Sequence, residues 1–219
     1  MARTDHSVEP PGPASMGRRM TQLTFGLVLF GISMALMIVA GLGVASWDVL
    51  HQGLAHSTGI SFGLVVNGIG VLVLLAWIPL RVRPGIGTVL NILVVGLVAD
   101  ATLALLPTAV ENLPVRVLLL LAGVALNALA TGLYVGAGLG PGPRDGLMTG
   151  LAERGISIRV ARTGIELTVL AAGWLLGGTV GVGTLLFAMA IGPLTQPALH
   201  RFTLTPQATP TSPTPPSSS

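Results

Sequence analysis

Residues 20–47 contain no charged side chain. A helix crosses the ~30 Å hydrocarbon layer of a bilayer with about 20 apolar residues. This run therefore spans with residues to spare, and it constrains the fold more than any other feature of the chain. It exceeds the roughly 7–15 apolar residues of a signal-peptide core. Composition extends the inference to the whole molecule. The chain is 51% hydrophobic and 9% charged, with a mean hydropathy of +0.82, whereas soluble domains carry about 25% charged residues. In lipid every backbone polar group must be satisfied within the chain, which selects helices here. Thirty glycines suit close helix approach.

Five further apolar segments follow, over 60–80, 85–106, 115–135, 158–176 and 180–199. Six spans put both termini on one side. All eleven basic residues are arginine, and only Arg116 then falls on the far side. Cytoplasmic loops carry the excess of basic residues, so the expected topology has both termini cytoplasmic. Arginines at span ends also account for the pI of about 11.0 without any nucleic-acid partner. Residues 1–17 and 203–219 are rich in Pro, Ser and Thr and are expected to be disordered tails.

One element occurs twice. Residues 41–61 read GLGVASWDVLHQGLAHSTGIS, and residues 138–157 read GLGPGPRDGLMTGLAERGIS. With Thr58 as a one-residue insertion, they align Gly41-Leu42-Gly43 with Gly138-Leu139-Gly140 and Asp48 with Asp145. The register continues outward. Gly68 matches Gly164, Gly85-Ile86-Gly87-Thr88 matches Gly181-Val182-Gly183-Thr184, and Gly96 matches Gly192. Each copy holds three spans, 18–106 and 107–202. An odd number makes the second copy enter from the opposite side. The predicted fold is all-α and membrane-embedded: six transmembrane helices as two inverted three-helix repeats, with short broken or interfacial helices after spans 1 and 4.

Several chemistries are excluded. Without Cys there is no thiol nucleophile or Cys metal site, and without Lys there is no Schiff base or phosphate-loop lysine. No nucleophile–base–orienter set is visible, so no enzyme, cofactor or metal site is expected. His51 and His56 lie five apart, on different helix faces. Trp47, Trp77 and Trp174 are expected as interface anchors.

What remains is polar groups at or within apolar helices. Asp48 and Asp145 fall in the first helical turns after the Gly-rich breaks, where the helix dipole favours a carboxylate. Ser46 is expected to cap one such helix and Pro143 to begin the other. Charge at bilayer depth is costly and faces the bundle interior or water. The candidate substrate-binding residues are therefore Asp48, Asp145, Arg144, Glu166, Asn67 and Asn127. Ordinary capping also explains the two aspartates, an i, i+4 pair with Arg162 also explains Glu166, and helix cross-linking also explains Asn67 and Asn127. Asp100 is expected to reach the outer interface.

The segments Gly41-Leu42-Gly43, Trp47-Asp48-Val49-Leu50, Gly138 to Leu147 and Thr163-Gly164-Ile165-Glu166 resemble the YczE/YitT-type family of bacterial integral membrane proteins. The likeness covers 17–202. It departs where Ala45-Ser46-Trp47 stands in place of Gly142-Pro143-Arg144. The resemblance implies a multi-pass plasma-membrane protein and no settled activity. Two functions are expected from the residues. One is a small-molecule carrier, or the substrate-binding part of one. The other is a non-transporting scaffold that meets a protein partner through Arg144, Arg154, Arg159 and Arg162. In both, the lipid bilayer is the constant partner.

Overall fold

A computed structural model describes residues 14–108 and 110–204. Among them all regular structure is helical: α1 (Met16–Ala40), α2 (Ser46–Thr58), α3 (Phe62–Leu80), α4 (Ile86–Leu105), α5 (Leu113–Gly136), α6 (Pro143–Ala152), α7 (Ile158–Leu175) and α8 (Val182–Phe202). Most of both expected disordered tails lies outside the described residues; Met16 and Gly17 belong to α1.

Local chemistry sets the helix ends. Ser61 Oγ accepts from the Leu64 amide, and Asn112 Oδ1 accepts from the Val115 amide ahead of a helix with Pro114 in its first turn. Arg81 closes α3 at φ 54°, the left-handed conformation of a helix C-cap. Arg116 donates to the Ala40 and Gly41 carbonyls, both at 2.7 Å, and so closes the end of α1.

α1 lies along α5. α4 flanks α1, and α8 flanks α5. The short helices cross over: α2 packs on α7, and α6 packs on α3. The α1–α5 crossing is close because of two glycines. A Cβ on Gly26 would stand 2.7 Å from the Tyr134 amide nitrogen and 3.1 Å from the Ala130 carbonyl. A Cβ on Gly123 would stand 2.6 Å from Met37 Cγ and 3.1 Å from the Ser33 carbonyl. In the register of the repeat these are the same contacts made from each side. Leu23, Leu27, Met34, Phe62, Val95 and Tyr134 build one core cluster, and Met37, Val44, Val49, Leu120 and Val124 a second. Leu72, Ile78, Leu97, Leu118, Leu167, Leu185 and Met189 point outward and exposed. An apolar outer surface over a packed interior belongs to a bilayer protein.

Five helices, α1, α3, α4, α5 and α8, are long and apolar enough to cross a membrane. α7 occupies the place of the fifth expected span, but it has 18 residues that include Arg159, Arg162 and Glu166. The uncharged run 20–47 is not one helix: α1 stops at Ala40, and Trp47 lies in the first turn of α2. Ser46 does not cap α2; Ala45 is the cap residue and makes no side-chain bond. Trp77 is buried, not interfacial, and donates its indole N–H to the Pro143 carbonyl at 3.0 Å. Trp47 is also buried, while Trp174 is exposed. Asp100 braces the start of α3, accepting from Ser61 Oγ and the Gly63 amide at 2.6 Å each.

Candidate functional site

Two Gly-Leu-Gly breaks build the site. Gly41 and Gly43 have φ 60° and 110°; Gly138 and Gly140 have φ 64° and 128°. Only glycine takes these values without strain. Each break docks on the N-terminus of a long helix through the same bond. The Gly183 amide donates to the Leu42 carbonyl at 2.7 Å, and the Gly87 amide donates to the Leu139 carbonyl at 2.8 Å. Thr88 Oγ1 adds a bond to the Pro141 carbonyl at 2.8 Å. The chain leaves each break in extended form, at Ala45 and at Gly142, and then starts α2 or α6.

The first turns of these two helices meet. Asp48 is the third residue of α2 and only 2% exposed. Its Oδ1 lies 3.4 Å from His51 Nδ1 and 3.6 Å from Arg144 Nη2, and it has no hydrogen-bond partner. The Arg144 guanidinium carbon stands 5.1 Å from the Trp47 ring centroid. Phe62 meets His51 edge to face at 5.9 Å. Asp145, next to Arg144, accepts from the Tyr134 hydroxyl at 3.0 Å. Trp47 Nε1 is buried without a partner. The cluster is closed over Asp48 and open at Asp145, which is exposed.

Three of the six predicted residues, Asp48, Arg144 and Asp145, come together here. The others do not. Glu166 accepts from Arg162 Nε at 3.0 Å on α7, the i, i+4 pair its spacing allows. Asn127 donates to Ser33 Oγ at 2.9 Å and ties α5 to α1. Asn67 faces α4, with its Nδ2 3.5 Å from the Leu93 carbonyl. His51, Trp47 and Tyr134 were not expected at the site. The i, i+3 spacing of Asp48 and His51 was the available signal.

The Asp48 carboxylate faces the Arg144 guanidinium, which lies on an indole whose N–H is unpartnered, and the Asp145 carboxylate accepts from Tyr134 close by. Such a set can bind and release a charged ligand. Among the described residues no three His, Asp or Glu side chains gather as metal ligands.

An all-helical chain with several apolar spans and a buried charged cluster is a polytopic membrane protein. More particularly, the chain belongs to the family of unknown function DUF6198, which matches residues 17–198. It is 43% identical over 177 residues to an uncharacterized protein of Haemophilus influenzae, covering 80% of each chain. It is 35% identical over 177 residues to the uncharacterized membrane protein YczE of Bacillus subtilis, covering 80% of this chain and 82% of that one. No solved structure matches it.

Proposed function

We propose that the protein is a small-molecule carrier, or the substrate-binding membrane component of one, with its site where the first turns of α2 and α6 meet. It is read as six spans in two inverted units, 18–106 and 107–202, with both termini cytoplasmic, α7 as the fifth span, α8 as the sixth, and α2 and α6 as half-inserted helices. The observation that carries this reading is the pairing of the breaks. Leu42 docks on Gly183 as Leu139 docks on Gly87, each across the units. Carriers of inverted-repeat design place ligands at broken helices between their halves.

The scaffold alternative has less support. Of the four arginines it needs, Arg144 lies on Trp47 and Asp48, Arg154 donates to the Pro79 and Leu80 carbonyls, and Arg162 pairs with Glu166. Arg154, Arg159 and Arg162 stay exposed, so what weighs against this reading is that Arg144, the arginine nearest the breaks, is turned onto Trp47 and Asp48.

The test is uptake of a metabolite mixture into proteoliposomes holding the full chain. Asp48→Asn and Asp145→Asn are expected to lower uptake at least about tenfold, the scale of losing one buried charge contact. Membrane levels should be unchanged, and Glu166→Gln should keep uptake. Uptake unaltered in both aspartate variants would remove the carrier assignment.

A further inference from the structure

Arg144 is held unusually for a buried ion pair. Its guanidinium lies over an indole face, which attracts cations, and next to a carboxylate that is 98% buried. It makes no fork of hydrogen bonds to that carboxylate: its Nη2 is 3.6 Å from Asp48 Oδ1, an oxygen that has no hydrogen-bond partner. A buried acceptor without a donor is costly, and an aromatic face beside a carboxylate is the usual recipe for binding an organic cation. The Arg144 side chain is 28% exposed and Asp145 is open, so the cluster can be reached.

We infer that the Trp47 face and the Asp48 carboxylate form a recognition site for an organic cation, a guanidinium or alkylated ammonium, which Arg144 fills from within the chain until a ligand displaces it. The inference rests on the carrier reading and names its substrate class. Charge favours a cation. Each helix start already presents an aspartate to its own positive dipole end, so an arriving anion would meet both Asp48 and Asp145. A hard metal ion is disfavoured by the donor set, since one carboxylate and aromatic carbon are far from the six or more oxygens it needs. Displacing Arg144 would also break its ion pair with Asp48, which links α6 to α2.

The experiment is thermal unfolding of the full-length chain in dodecyl maltoside against methylguanidinium chloride and tetramethylammonium chloride. Potassium chloride at equal ionic strength and potassium acetate are the comparisons. The wild type should show a saturable upward shift with the organic cations alone. Arg144→Gln, which removes the tethered competitor, should tighten apparent binding about tenfold or more. Asp48→Asn should abolish it, and Trp47→Leu should weaken it about tenfold. If Arg144→Gln does not fold, the wild type and Asp48→Asn decide the matter alone. Shifts no larger than with potassium, or shifts that survive Asp48→Asn, would overturn the inference. An acetate shift lost in Arg144→Gln would overturn the cation class and leave the carrier site standing. Loss of the carrier reading itself would appear only in the uptake assay.

Discussion

The Arg144 guanidinium sits 5.1 Å from the Trp47 ring centroid, and the two residues hold the same position in the two copies of the Gly-Leu-Gly element. In a symmetric pair of units a residue near the axis faces its own copy. Two arginines there would repel, and two tryptophans would leave Asp48 without a cation. Divergence to Trp on one side and Arg on the other turns a self-facing position into a complementary one. The prediction is energetic coupling. In a double-mutant cycle of Trp47→Leu and Arg144→Gln, followed by unfolding in mild detergent, the two losses should overlap by about 0.5–2 kcal/mol. Strict additivity would mean that the stacked pair adds nothing to the link between the halves.

A second complementarity is a swap of sizes. Trp77 of α3 lies against Gly146 of α6, while in the matching place Gly173 of α7 lies against the Val49–Leu50 backbone of α2. The glycine is on the short helix in one pair and on the long helix in the other. Gly146→Val alone should therefore drive a methyl into the Trp77 ring, and Trp77→Gly alone should leave a void, each costing roughly 2–5 kcal/mol. The double variant copies the Val49–Gly173 geometry and should be more stable than either single one. A double variant no better than the worse single would show that the two places are not interchangeable.

The halves also differ. α3 and α4 touch where Gly63 meets Gly96, whereas at the matching positions Arg159 replaces Gly63 and Gly192 has nothing within 4 Å of an added Cβ. Gly63→Ala should thus lower stability by about 1–3 kcal/mol by forcing the helices apart. Gly192→Ala should be neutral, or gain up to about 1 kcal/mol of helix propensity. Melting temperatures of the two variants compare them directly, and equal losses would contradict the looser α7–α8 side.

Much of this was legible because membrane helices declare themselves by length. The ends of α3, α4, α5, α7 and α8 fall within about two or three residues of the apolar segments. The break after Ala40 was not legible in hydropathy, since residues 41–47 are uncharged; its glycine φ angles cause it, and the glycines and their repetition were the clue. Asp48, Arg144 and Asp145 stand out in the sequence because charge at depth is conspicuous. Trp47, Tyr134 and His51 were missed because aromatic and imidazole groups read equally well as core or interface. Only the tertiary contacts of α2, α5 and α6 decide which they are.

The final prediction concerns sidedness. Arg154 of the α6–α7 turn donates to the Leu80 carbonyl at 3.0 Å, so the connection after α3 and the one after α6 lie at one end of the bundle. His56 at the end of α2 approaches the Gly177 carbonyl at 3.3 Å, next to the turn after α7. Basic residues crowd the first end, at Arg81, Arg83, Arg154 and Arg159, and the positive-inside rule predicts that this end is cytoplasmic. The chain has no cysteine, so single cysteines report cleanly. In intact cells Thr58→Cys and Asn112→Cys should react with a membrane-impermeant maleimide. Arg83→Cys and Glu153→Cys should react only after the membrane is opened. Thr58 and Glu153 stand at matching ends of the two short helices, so labelling both from the same side would mean that the second unit is not inverted, and the meeting of α2 with α6 would need another origin.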